Sequence, residues 1–192
     1  MLTRLCFLTL LAALTLAGCA MSPGTVPVQD PAAGWADAEA RIAVLSAYVA
    51  SAQESAGDLD AGALAAAGAM RARHSEIQDL LRVGTLAQSN RSYLRIGESL
   101  HSVDAARHNA LQQLLAGENR DRKILFVALA REVGLSLSAV EGLWSVQSAA
   151  QLPSGTRIQL PPKGPVFDRF LASEAGQRVG GAGEPEAWVA LQ

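Results

Sequence analysis

Cysteine, lysine and aromatic side chains are scarce in this chain, and each scarcity removes a class of protein. Two cysteines, Cys6 and Cys19, are too few for a disulfide framework or a cysteine-rich zinc site. The two lysines, Lys123 and Lys163, do not follow a serine by three residues, so no Ser-x-x-Lys hydrolase motif exists. Aromatics make up 5% of 192 residues while hydrophobic residues reach 49%, much of that alanine and leucine, which favours packed helices over an aromatic-rich sheet. The formal charge of −2 gives no whole-chain field for nucleic acid. Phosphate loops, dinucleotide glycine patterns and Gly-x-Ser-x-Gly elbows are all missing from the sequence.

Of the three histidines, His101 and His108 lie seven apart, about two helical turns, yet no cysteine or carboxylate stands at ligand spacing. They and His74 are read as structural or surface groups. No metal, cofactor or catalytic set is expected, and a wall hydrolase using His101 and His108 ranks low.

What is present begins with "MLTRLCFLTLLAALTLAGCA": Arg4 ahead of an apolar run from Leu5 to Leu16, too short to span a bilayer and shaped as a secretory signal. The run ends in Leu16-Ala17-Gly18-Cys19, which resembles the bacterial lipoprotein box. That resemblance implies cleavage between Gly18 and Cys19 and lipidation of the Cys19 thiol. Several acyl chains then hold the protein stably where one would not. Ala20, in place of aspartate, favours the outer over the inner membrane. Cleavage removes Cys6 and leaves no intrachain disulfide.

The remaining chain divides into a tether over residues 19–34 with three prolines and two glycines, a helical domain over 35–162, and a mostly flexible tail over 163–192 in which Val166 to Leu171 suit one helical turn or two. The expected fold is mainly α: a small domain of about five helices with a short extended C-terminal segment, flanked by flexible tails. Ile42, Leu45, Val49 and Ala52 mark a first helix, and Asp60 to Arg82 a second, ended by Gly84. "TLAQSNRSYLRI" suits a short extended segment or irregular loop. A third helix from about Ser102 is expected to close at Gly117, and Asn119 to cap a fourth that ends at Gly134. Ser136 or Ser138 caps the fifth, which carries Val140, Leu143 and Trp144. Arg120, Arg122, Lys123 and Arg131, with the carboxylates Glu118, Asp121 and Glu132, read as a solvated helix face.

"VALAREVGLSLSAVEGLW" has the Ala130, Gly134, Val140 spacing of a helix-turn-helix. Its second helix offers no cation and one acid, Glu141, so nothing on it matches base edges or phosphates. A helical corner explains the spacing, and no nucleic-acid partner is expected.

From Gly84 the chain is similar to the YdbL-like family, a periplasmic domain of unknown function, over about Val83 to Pro162. "GTLAQSNRSYL" keeps Gly84, Tyr93 and Leu94, while Ala87-Gln88 replaces a Gly-Glu pair and Ser92 a glycine. A second block matches at Asn119, Arg122, Phe126, Leu129, Ala130, Gly134, Val140, Pro153 and Gly155. The resemblance implies a domain with no established enzymatic activity, some members of whose family sit beside large AsmA-type proteins that bridge the envelope and are linked to lipid traffic. Gln88, Tyr93, Asn119 and Arg122 are its candidate partner-binding residues. Against that reading, Asn119 is a helix cap, Arg122 pairs with an acid and Tyr93 packs. The function expected is a lipid-anchored, non-enzymatic accessory or assembly protein on the periplasmic side of the membrane, touching an envelope protein. The alternative is a lipid or small-molecule carrier with an apolar pocket between helices.

Overall fold

The computed structural model describes residues 31–97, 105–180 and 183–192; the signal, Gly18, Cys19 and His101 lie outside them. Among the described residues the chain is mainly α, with helices α1 (Pro31–Val49), α2 (Ala61–Arg82), α3 (Ala105–Val133), α4 (Leu137–Ala149), α5 (Pro165–Ala172) and α6 (Glu174–Arg178). Four three-residue strands, β1 (Leu86–Gln88), β2 (Leu94–Ile96), β3 (Arg157–Gln159) and β4 (Trp188–Ala190), form one sheet in the order β2-β1-β3-β4. None of these helices is long and apolar enough to cross a membrane.

Several boundaries follow from local chemistry. Asp60 accepts a hydrogen bond from the Ala63 amide and starts α2; Ser136 does the same for Ala139 and starts α4. Gly84 and Gly134 adopt φ of 72° and 67°, the left-handed conformation that ends α2 and α3.

Three expectations are corrected. Residues 31–34, read as tether, belong to α1. Gly117 does not stop a helix and Asn119 does not cap one: both lie inside the single 29-residue α3. A glycine costs a helix interior only about 1 kcal/mol, and the contacts that α3 makes along α2 outweigh it. Residues 163–192 are more ordered than a mostly flexible tail, although the helical turns expected over Val166 to Leu171 are there as α5. Phe167, Phe170, Ala175 and Leu191 are buried, and β4 pairs antiparallel with β3. The Arg178 guanidinium ties this end down by donating to the carbonyls of Ala149, Ala150, Leu152 and Gln192.

The apolar interior has two parts. One gathers Ile42, Leu45, Met70, Phe126, Leu129 and Trp144 from α1 to α4. The other gathers Ile77, Leu86, Leu94, Ile158, Phe170 and Leu191 from the sheet and the helices beside it. Between them runs a belt of buried polar side chains.

Candidate functional site

The belt is built from the β1–β2 hairpin and the two helices that hold it, α3 and α4. At the hairpin's turn Ser92 has φ of 62°, a conformation that glycine adopts at no cost and other residues at about 1–2 kcal/mol. Its side chain offsets part of that by donating to the Glu141 carbonyl at 2.9 Å. Its own carbonyl accepts from the Arg122 guanidinium.

Asn119 faces β2 from the middle of α3. Its Oδ1 accepts from the Leu94 amide at 2.8 Å and its Nδ2 donates to the Leu94 carbonyl at 2.9 Å. A carboxamide thereby stands in for a neighbouring strand along the outer edge of β2, an edge otherwise open to mispairing. Arg122, one turn on, donates from Nε to Glu118 at 2.8 Å. Glu118 also meets Arg73 of α2 at 3.1 Å, and Arg73 reaches Asp121 at 2.7 Å. Two carboxylates and two guanidiniums therefore alternate across the α2–α3 interface.

On the other side of the hairpin, Glu141 of α4 is 1% exposed. Its two oxygens take hydrogen bonds from Tyr93 Oη at 2.7 Å and Arg91 Nε at 2.6 Å. Burial, then the bond to Glu141, raises the Tyr93 phenol well above its ordinary value of 10, so the ring stays neutral and donates. Tyr93 packs edge-on against Phe126, and Phe126 against Trp144, with ring centres 6.0 and 5.2 Å apart. Gln88 completes the belt by donating to Ser148 Oγ at 3.0 Å.

Gln88, Tyr93, Asn119 and Arg122, the candidate partner-binding residues, are thus brought together, each with its polar atoms directed inward. Gln88 is 1% exposed and Arg122 7%, so a partner reaches neither without lifting the hairpin. Arg122 pairs with an acid and Tyr93 packs, in line with the structural reading of both. The solvated-face reading is corrected for Glu118, Asp121 and Arg122, all buried, and stands for Arg120, Lys123 and Arg131, all exposed. Sequence reasoning misses Glu141 and Arg73 as belt members. Their signal, an acid in an otherwise apolar helix and a cation on the helix that packs beside Glu118, becomes specific only once the partners are known.

His74 also lines the belt, at a small cavity between α2, α3 and α4 shared with Gln88, Glu118, Arg122 and Ser148. Burial disfavours its charged form and lowers its pKa, with the Glu118 carboxylate working against that shift and Arg122 reinforcing it. The cavity's volume of about 30 Å³ holds about two waters and is a tenth of a small-molecule pocket. His108 sits apart on α3, 3.4 Å from Gln112. Among the described residues no three His, Cys, Asp or Glu side chains are grouped to hold a metal.

The helix-turn-helix corner is equally committed. Val140, Leu143 and Trp144 of α4 are buried, and α4 lies against α1 and α5, so the helix that would enter a groove is inside the core. No family model, curated protein or solved structure matches the chain.

Proposed function

We propose that this protein is a lipid-anchored envelope protein that works by contact, as an accessory or assembly factor and not as an enzyme. The anchor rests on Leu16-Ala17-Gly18-Cys19 behind the apolar run. Twelve residues from Cys19 to Asp30 span at most about 40 Å, so the folded domain is held close to the membrane that carries it. On this reading the domain faces the periplasm, with Ala20 favouring the outer membrane, and the resemblance over Val83 to Pro162 suggests company with AsmA-type bridges.

One observation carries the choice of contact over chemistry: the side chains of the hairpin, α3 and α4 that cluster in the interior, from Gln88 to Glu141, satisfy one another, which leaves His74 beside them with no paired acid or nucleophile among the described residues to act with. A reactive group needs an unspent proton or lone pair aimed at a substrate. Satisfied networks stiffen a fold and fix its register. The carrier alternative draws less support, because the cavity inside the belt is water-sized and lined by polar and apolar side chains alike.

Crosslinking in cells followed by capture from detergent-solubilised envelope tests the proposal. A specific envelope protein should be recovered with wild type and depleted with Cys19→Ala. Recovery of no specific partner overturns contact as the mode of action. Native mass spectrometry on the same sample that finds a bound lipid turns the choice to the carrier.

A further inference from the structure

On the proposal that the domain acts by touch, a place for the touch exists. A surface groove of about 400 Å³ lies where the start of α1, the hairpin turn, the first turn of α4 and the Pro162–Val166 approach to α5 meet. Its volume falls within the range of ligand sites. This is also where the corner with helix-turn-helix spacing comes to the surface, presenting Ser136, Ser138 and Ala139.

The apolar wall is Trp35, Ala139, Pro165 and Val166. The Arg169 guanidinium stacks 4.5 Å from the Trp35 ring centre and is itself held by Glu39 at 2.5 Å. A side chain at Gly142 would press on Val166 at 2.9 Å, so the floor exists because that position has none.

The charges on the groove are less committed. Lys163 is exposed and makes no ion pair among the described residues. Arg91 uses Nε for Glu141 while its side chain remains 59% exposed, leaving the two terminal nitrogens to solvent. Glu186 supplies one exposed carboxylate to the same lining.

We propose that this groove binds the C-terminal end of a partner polypeptide. The terminal carboxylate pairs with Lys163 and the outer nitrogens of Arg91, a charge-assisted contact. The last side chain, an apolar one, lies against Trp35 and Val166. Glu186 meets an amide or a basic side chain upstream. A chain end carries all three features. A fatty acid or an anionic bilayer surface carries no amide or basic side chain to meet Glu186.

The test is fluorescence anisotropy with the full chain in detergent micelles. The probes are fluorescein-labelled hexapeptides Gly-Ser-Lys-Ala-Val-X, with X as Phe, Leu, Val or Ala, each as free acid and as C-terminal amide. At least one free acid should bind saturably, amidation should weaken it by about tenfold, and Lys163→Glu should do the same. Ala139→Trp, which fills the groove, should abolish binding; Lys163→Glu, on an exposed side chain, keeps the test decisive if Ala139→Trp fails to fold. Binding by none of the peptides, equal binding of acid and amide, or no effect of Lys163→Glu overturns the assignment. So does binding of phenylacetate where no peptide binds. If Lys163→Glu still captures the wild-type partner from the envelope, contact survives as the function and the groove falls as its site.

Discussion

Replacing Arg122 by methionine removes one guanidinium from the belt while keeping most of its apolar bulk. Glu118, 1% exposed, then depends on Arg73, which it shares with Asp121. The Ser92 carbonyl loses its donor as well. Breaking a buried ion pair by removing one partner costs about 3–5 kcal/mol, and an orphaned buried acceptor about 1–3 kcal/mol. Because Arg73 keeps Glu118 partly neutralised, the ion-pair cost is only partly incurred and the expected loss is about 3 kcal/mol, below the sum of the two full costs. With a denaturant slope of about 2 kcal/mol/M, the urea midpoint falls by about 1.5 M. Removing the stranded charge as well, in Glu118→Leu with Arg122→Met, should return part of that loss and leave a deficit of about 1–2 kcal/mol from the Ser92 carbonyl. The double variant is therefore more stable than the single one, an inversion that independent sites do not give. Urea unfolding followed by circular dichroism measures both. A single-variant loss under about 1 kcal/mol, or losses that simply add, refutes the reasoning.

Asn119→Ala leaves the Leu94 amide and carbonyl without partners and should cost about 2 kcal/mol; hydrogen exchange at Leu94 should accelerate ahead of the rest of the hairpin, and unchanged protection there contradicts the clamp. His74 has a folded pKa below its ordinary 6.5, so the folded state binds its proton less readily than the unfolded chain. Its contribution is whole above pH 6.5 and is lost as pH falls from there toward the folded value. His74→Gln should flatten the decline in urea midpoint between neutral and mildly acid pH, and parallel profiles for the two proteins contradict the shift.

The parts of the fold that local chemistry decides are legible in the sequence itself. Asp60 and the serine at 136 cap helices where a side-chain oxygen precedes an apolar stripe, and Gly84 and Gly134 end them where φ turns positive. What cannot be read there depends on distant partners. Gly117 looks like a stop, yet α3 runs through it because Glu118, Asp121 and Arg122 bond across to α2 and the hairpin. Three-residue strands are too short to show an alternating period. The glycine- and proline-rich end is held by β3, by Arg178 and by the burial of Leu191, none of which its composition announces. The belt is half visible: Gln88, Tyr93, Asn119 and Arg122, singled out in the sequence as candidate partner-binding residues, do converge, but on each other's elements. Spacing alone does not say whether an arginine points to a neighbour or to solvent.

The account depends most on Cys19, the residue that would join the domain to a membrane. Intact-mass measurement of the protein purified from envelope, with the N-terminal residue identified after delipidation, tests it directly. The account predicts a chain beginning at Cys19 and carrying diacylglycerol, with Cys19→Ala left uncleaved and unacylated. A chain that keeps Met1 and is recovered free of lipid from the soluble fraction contradicts it.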